Sequence, residues 1–341
     1  MRIARSISLA LLAASSLTAV SSALAQDAFQ VPNLGNPRGL ALADGNLLIA
    51  EQKGGKIISV GPDGTVTTVA EGIVVGEYLS PEGPTAVGVN AAIKDGDAYF
   101  FTVGGSLGSV AGSEAVYTFK AGETPKLLAD LGQHEKDNNT GGDVTPDGQP
   151  EIDSNPYDLV ADGKGGVFVS ESAANAILHV DGAGAITVYA QFPDRENPLA
   201  GKVGGPTIDQ VPTGLTEGPD GALYVATLTG FPFATGAARV YRVADGNGDG
   251  DALDEGEVTV AAEGLTTATN VAFDTDGSLL VTEFSTDMLN QAPGRLVRVK
   301  DGAVTEVAGG LISPTAVEVL PNGKIVVTQE FAGVVAEVAG K

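Results

Sequence analysis

The run Asp245-Gly246-Asn247-Gly248-Asp249-Gly250-Asp251-Ala252-Leu253-Asp254-Glu255-Gly256-Glu257 is the densest group of metal-compatible side chains in the chain. Oxygen-bearing residues at its first, third and fifth positions, with glycine at the sixth, open a calcium loop. A hard cation needs six to eight oxygens, and this spacing wraps them around one point. Asp254 and Glu257 fall one place late for the ninth and twelfth ligands, which a one-residue insertion at Asp251 or Ala252 explains. The expected ligands are Asp245, Asn247, Asp249, Asp251, Asp254 and Glu257. No helical pattern flanks the loop, so it is not an EF-hand. The expected role of Ca2+ is structural, with affinity in the weak extracellular range of roughly 10⁻⁴–10⁻³ M.

Candidates for catalysis are few. The chain has no cysteine and only two histidines, which removes thiolate zinc sites, cysteine nucleophiles and disulfides. No Gly-x-Ser-x-Gly elbow precedes a helix and no His-x-x-x-His pair occurs, so serine-triad and zinc-protease chemistry are disfavoured. His179 sits in the β-like run Ile177-Leu178-His179-Val180 and reads as a sheet residue. His134 lies in an acidic inserted segment, as a solvated loop residue or as a general base if that segment covers a site. Glu51, Glu171 and His134 are therefore the catalytic candidates, and the sequence singles out none of the three.

The elements that position these residues come from an internal repeat. Its openings are Asn36-Pro37-Arg38-Gly39-Leu40, Gly83-Pro84-Thr85-Ala86-Val87, Asn155-Pro156-Tyr157-Asp158-Leu159, Val211-Pro212-Thr213-Gly214-Leu215, Ala268-Thr269-Asn270-Val271 and Ser313-Pro314-Thr315-Ala316-Val317. Each runs towards a turn such as Asp44-Gly45, Asp220-Gly221, Asp276-Gly277 or Asn322-Gly323, whose residues supply the positive φ of tight hairpins. A second apolar run then ends in Glu51, Glu171, Thr227, Glu283 or Gln329. Third and fourth runs follow, and no stretch shows sustained helical periodicity. Six four-stranded units predict an all-β, six-bladed β-propeller. The expected blades span 36–72, 83–132, 154–192, 211–264, 267–310 and 313–341. The last has only three strands, so the segment 28–34 is expected to complete it and close the ring, removing two open sheet edges. A parallel β-helix is discounted because its coils are shorter, about 20–25 residues.

In such a ring the starts of the first strands and the ends of the second strands share one mouth of the central channel. That mouth is expected to gather Arg38, Thr85, Tyr157, Thr213, Thr269 and Thr315, with Asn36, Asn155 and Asn270 nearby and Glu51, Glu171 and Glu283 in alternate blades. Two readings stay open. These groups tie the loops between blades by local hydrogen bonds, or they hold a polar ligand or a cation.

The formal net charge is −24, from 19 Lys+Arg against 43 Asp+Glu. Such a surface repels polyphosphate, which excludes nucleic acid as an expected partner. Met1–Ala25 carries Arg2 and Arg5, an apolar run from Ile7 to Val20, and Ala23-Leu24-Ala25. This reads as a signal peptide cleaved near Ala25/Gln26. One domain, 26–341, is then expected in the periplasm or outside the cell, as a monomer with no membrane span, with a small molecule or a protein as its partner.

Several stretches resemble the ScyD/ScyE family of secreted propellers, related in shape to NHL and gluconolactonase-like propellers. They are Ala129-Asp130-Leu131, His134-Glu135, Asn138-Asn139, Asp153-Ser154-Asn155-Pro156-Tyr157, Val211-Pro212-Thr213-Gly214-Leu215, Leu228-Thr229-Gly230-Phe231-Pro232-Phe233 and Gly236-Ala237-Ala238-Arg239-Val240-Tyr241-Arg242-Val243. The resemblance implies the propeller fold and assigns no reaction. The wider gluconolactonase-like group implies a channel metal on a Glu, Asn and Asp set, for which Glu51, Asn155 and Asn270 are loose counterparts here. Two functions are expected. One is a non-catalytic ligand- or partner-binding propeller with structural calcium. The other is a calcium-dependent lactonase or esterase that uses the channel.

Overall fold

A computed structural model describes residues 29–80, 83–142, 149, 150 and 152–338. The proposed leader, Ala28 and Lys341 lie outside them. Six four-stranded antiparallel sheets form the blades of a β-propeller. Blade one is Pro37–Ala43, Asn46–Glu51, Lys56–Val60 and Val66–Glu71. Blade two is Val89–Asp95, Ala98–Val103, Ala115–Lys120 and Lys126–Asp130. Blade three is Pro156–Ala161, Val167–Glu171, Ala176–Val180 and Ile186–Gln191. Blade four is Gln210–Glu217, Leu223–Thr229, Ala238–Val243 and Val258–Leu265. Blade five is Ala268–Phe273, Leu279–Glu283, Gly294–Lys300 and Ala303–Leu311. Blade six is Pro314–Val319, Ile325–Gln329 and Val334–Val338, completed by Gln30–Val31. The amino-terminal strand thus closes the ring by pairing Gln30 with Ala336 and Val31 with Val335.

Alternation along the strands buries one face of each blade against the next blade. Every junction has its own apolar cluster. Ile57 and Phe101 meet between blades one and two, and Leu159 and Val116 between two and three. Ile177 and Val225 meet between three and four, and Val240 and Val271 between four and five. Leu296 and Val327 meet between five and six, and Val335 and Ile49 across the closure. Each fully buried aliphatic side chain of this kind contributes about 1.5–3 kcal/mol.

The strand order separates two faces. Starts of first strands, ends of second strands and ends of fourth strands all lie on one side, here the upper face. The inserted segments that join fourth strands to first strands share it. They are the hairpin Gly76–Ser80 with Gly83–Val87, the helix Leu131–Asn138, and the pair Arg195–Glu196 with Thr207–Ile208. The lower face carries the tight turns and, between the third and fourth strands of blade four, the loop 245–257.

Two sequence expectations are corrected. Blade two opens at Val89, because Gly83–Val87 pairs with Gly76–Ser80 in the extra hairpin instead. A second copy of the Pro-Thr-Ala-Val pattern therefore stands just before the true first strand. The helix Leu131–Asn138 was not expected from periodicity. It is short and set by its ends, with Asp130 Oδ1 accepting from Gln133 N at 2.8 Å and Asn139 left-handed at φ 47°.

Candidate functional site

The carboxylates at the ends of the second strands serve the frame. Glu51 Oε2 accepts from Gly35 N at 2.7 Å, and its Oε1 lies 3.2 Å from Lys56 Nζ. Glu171 accepts from Ser154 Oγ at 2.8 Å, from Asn155 N, and from Ala174 N at 2.7 Å. Glu283 accepts from Thr266 N at 2.8 Å and from Arg295 Nε at 2.5 Å. In blade six Gln329 plays the same part, accepting from Ile312 N at 2.9 Å. Each pins the chain that enters its own blade. Burial pushes the Glu171 carboxyl up to about 8 against the donors around it. Glu51 and Glu171, the two glutamates considered for catalysis from the sequence, are thus both engaged by the frame.

The hydroxyls of the expected mouth ring form a belt. Thr213 Oγ1 donates to Ala268 O at 3.1 Å, Thr269 Oγ1 to Pro314 O at 3.0 Å, and Thr315 Oγ1 to Arg38 O at 3.0 Å. Register places Val89 where the other blades have Pro37 or Pro156, so Asn90 holds the ring position assigned from sequence to Thr85. Asn90 Nδ2 donates to Pro156 O at 2.9 Å. Thr85 lies in the extra hairpin, paired with Tyr78. Arg38 and Tyr157 occupy the two ring positions that make no such tie. Their task passes to the residue after the second-strand glutamate. Gln52 Nε2 donates to Asn90 Oδ1 at 3.1 Å, and Ser172 Oγ to Pro212 O at 2.6 Å.

Arg38 and Tyr157 meet each other instead. The guanidinium carbon of Arg38 lies 4.9 Å from the centroid of the Tyr157 ring, and its Nη1 is 3.7 Å from Glu330 Oε1. Glu330 begins the short 3-10 turn Glu330–Ala332, which ends at left-handed Gly333. Around Tyr157 pack Val211, Leu228 and Phe284, with half-buried Phe233, Met288 and Phe331 beside them. Burial lifts the Tyr157 hydroxyl to about 12, and burial also raises Glu330 against the pull of Arg38. Glu330 was missed from sequence because it follows the blade-six second strand by one residue. Its signal was an acidic residue next to Phe331 where a loop was expected.

One residue further along the first strands lies a second polar set. Asp158 Oδ2 accepts from Asn270 Nδ2 at 3.0 Å and from Leu215 N at 3.2 Å, while Asn270 Oδ1 accepts from Val317 N at 3.2 Å. These bonds run from blade three through four and five to six. Glu318 adds a second acid, whose Oε1 accepts from Val319 N at 2.9 Å. Desolvation pushes both Asp158 and Glu318 up to about 7, and Asp158 further raises Glu318. Asn155 stands apart from this set, its Oδ1 accepting from Gly105 N at 2.9 Å. Glu51, Asn155 and Asn270 are therefore each held by different frame partners.

The histidines stay outside the mouth set. His179 Nε2 lies 2.8 Å from Asp162 Oδ2, and its ring is tilted 35° to that of Phe168, with centroids 4.9 Å apart. His134 sits on the inserted helix with Nδ1 3.3 Å from Asn138 Nδ2. In the loop 245–257, Asp245 accepts from Gly248 N at 2.5 Å and Gly250 N at 3.0 Å, and Glu257 accepts from Gly246 N at 2.8 Å. Asp251 accepts from Leu253 N at 3.1 Å. Asn247 Nδ2 bridges Asp249 Oδ2 at 3.0 Å and Asp254 Oδ2 at 2.7 Å. Among the described residues no three Asp, Glu or His side chains form a preformed metal cage. The donor set still suits calcium. All its side chains are oxygen donors, and an amide hydrogen-bond donor now bridges two carboxylates.

Fold and site together define a six-bladed β-propeller with a buried polar cluster at its upper mouth. No protein-family model matches the chain, and no curated protein matches it in sequence. Solved structures do match in fold. A gluconolactonase from Xanthomonas campestris superposes with a TM-score of 0.57 at 13% identity, covering 93% of this chain and 91% of that one. The calcium-binding protein regucalcin from Agrobacterium tumefaciens gives 0.55 at 13%, covering 91% of each chain. A streptogramin B lyase gives 0.51 at 14%, covering 92% and 98%. At these identities the likeness is one of fold.

Proposed function

We propose that the chain is a secreted, ScyD/ScyE-like β-propeller that binds a small molecule at its upper mouth, without catalysis, and is braced by calcium on its lower face. Cleavage near Ala25/Gln26 would deliver it to the periplasm or the exterior. One observation carries the reading. Four ring positions tie blades together, whereas Arg38 and Tyr157 are relieved of that duty by Gln52 and Ser172 and converge beside Glu330. Side chains excused from a structural task and gathered under an aromatic wall favour ligand recognition. Ligand-observed NMR with a library of small ring compounds tests it. Binders should lose their signal with folded Tyr157→Phe or Arg38→Met protein. Signals that persist in both variants would place binding elsewhere.

A second reading, a calcium-dependent lactonase or esterase, is favoured by one observation. Asp158 and Glu318 are acids held near neutrality, where general acid–base catalysis works best. Lactone turnover abolished by chelator and by Glu318→Gln would displace the binding reading.

For the lower face, Asp245, Asn247, Asp249, Asp251, Asp254 and Glu257 would hold the ion, and the calcium-binding description of the regucalcin neighbour gives general support. Binding with Kd of about 1 mM would add about 1.4 kcal/mol at 10 mM calcium. The melting temperature should then rise by about 3 °C. Asp249→Asn combined with Asp254→Asn should remove that response. An unchanged response in the double variant would sink the assignment.

A further inference from the structure

The upper mouth leaves specific hydrogen-bonding capacity unspent. Arg38, Tyr157 and Glu330 are each more than nine-tenths buried, at 8%, 6% and 2% exposure. Arg38 Nε and Glu330 Oε2 make no hydrogen bond to the described residues, and the Tyr157 hydroxyl, although close enough to the Arg38 guanidinium for each to bias the other's ionisation, donates its own O–H to none of them. Buried polar groups need partners, since each one left unmade costs about 1–3 kcal/mol. The three atoms offer two donors and one acceptor. The arginine and glutamate charges lie 3.7 Å apart and cancel each other.

This fixes the charge of what fits. A carboxylate would satisfy Arg38 and Tyr157 but would place its negative charge against Glu330, in a protein of net charge −24. An ammonium group would satisfy Glu330 but would face Arg38. Either ion would have to sit against residues that are at most 8% exposed, where an uncompensated ion is costly. An uncharged group with an acceptor beside a donor satisfies all three atoms. Its carbonyl takes the Arg38 and Tyr157 donors, and its N–H serves Glu330.

The apolar neighbours suggest the body. Phe284 and Phe331 stand edge to face with centroids 6.1 Å apart, and Val211 and Leu228 belong to the same apolar cluster as Tyr157. Such surfaces favour a flat apolar ring. Phe331 follows Glu330 in the same 3-10 turn, so one short turn presents both the acceptor and part of the wall.

Resting on the reading of the upper mouth as a ligand site, we infer that its ligand is an uncharged carboxamide, lactam or imide carried on a flat apolar ring. The residues that recognise it are Arg38, Tyr157 and Glu330.

Benzamide, benzoate and benzylamine form a matched probe set of one ring and three head groups. Their affinities for the full chain are measured by ligand-observed NMR at fixed ionic strength. Benzamide should bind at least about tenfold more tightly than either ion, a difference equal to one hydrogen bond to a charged group. Tyr157→Phe should weaken benzamide about tenfold with the fold intact. Glu330→Gln should turn the preference towards benzoate, because it leaves Arg38 uncompensated. If benzoate or benzylamine matches benzamide in wild-type protein, and Tyr157→Phe still weakens it, the ligand class is wrong and the mouth reading survives. If none of the three binds the folded protein, or binding ignores both variants, the mouth reading itself falls.

Discussion

Gly214→Ala should destabilise the protein by about 3 kcal/mol or more, lowering its melting temperature by roughly 6–12 °C. Gly214 is the blade-four residue over which Asn270 passes to reach Asp158. A methyl group there would overlap the Asn270 side-chain amide and its backbone Cα. The backbone overlap cannot be relieved by a rotamer change, so blades four and five must part. Parting them also frees Asp158 and the Val317 N–H from Asn270, which adds unsatisfied buried groups to the cost of overpacking. Gly205→Ala is the control, because a methyl there has only Thr207 O nearby, at 3.9 Å. Calorimetry of both variants checks the claim. Equal melting temperatures would show that the trans-channel link is slack.

Removal of residues 29–34 should cost about 4 kcal/mol or more and lower the single unfolding transition as a whole. The segment supplies the outer strand of blade six, with Glu337 N donating to Phe29 O at 2.8 Å and Leu34 N to Gly333 O at 2.9 Å. Val31 is buried between Leu47, Val326 and Val335, and Phe29 and Leu34 pack at the same junction. Two or three partly buried apolar side chains, at about 1.5–3 kcal/mol each when fully buried, set the magnitude. Because this junction joins the last blade to the first, its loss opens a closed ring and leaves the edge of blade six exposed. Denaturant titration followed by circular dichroism distinguishes the outcomes. A small early transition with the main midpoint unmoved would mean that the segment merely frays.

The ring was legible in the sequence because its signals are local. Proline openings mark blades one, three, four and six, Asp-Gly or Asn-Gly turns and alternating runs recur around the ring, and the three-strand ending at 313–341 pointed to the amino-terminal strand. Blade two misled because Pro84-Thr85-Ala86-Val87 repeats the opening pattern while pairing in a hairpin of its own. Candidate site residues were only half legible. Their position at the ends of the second runs placed Glu51, Glu171 and Glu283 at the mouth, but whether a carboxylate faces solvent or a backbone N–H depends on a turn that the sequence does not display. Asp158 carried a readable signal that was passed over. It stands where other blades have Gly39, Gly214 and Ala316, so it and Asn270 fill space that the repeat elsewhere leaves empty.

The hydrogen-bonded belt has a consequence for divergence. Apart from the link to Asn90, its acceptors are main-chain carbonyls, which every amino acid possesses. A lineage can therefore replace the accepting residue freely, provided some short polar side chain persists on the donating neighbour. Architecture held in this way tolerates wholesale rewriting of its text, in keeping with near-complete superposition on proteins that share about one residue in eight.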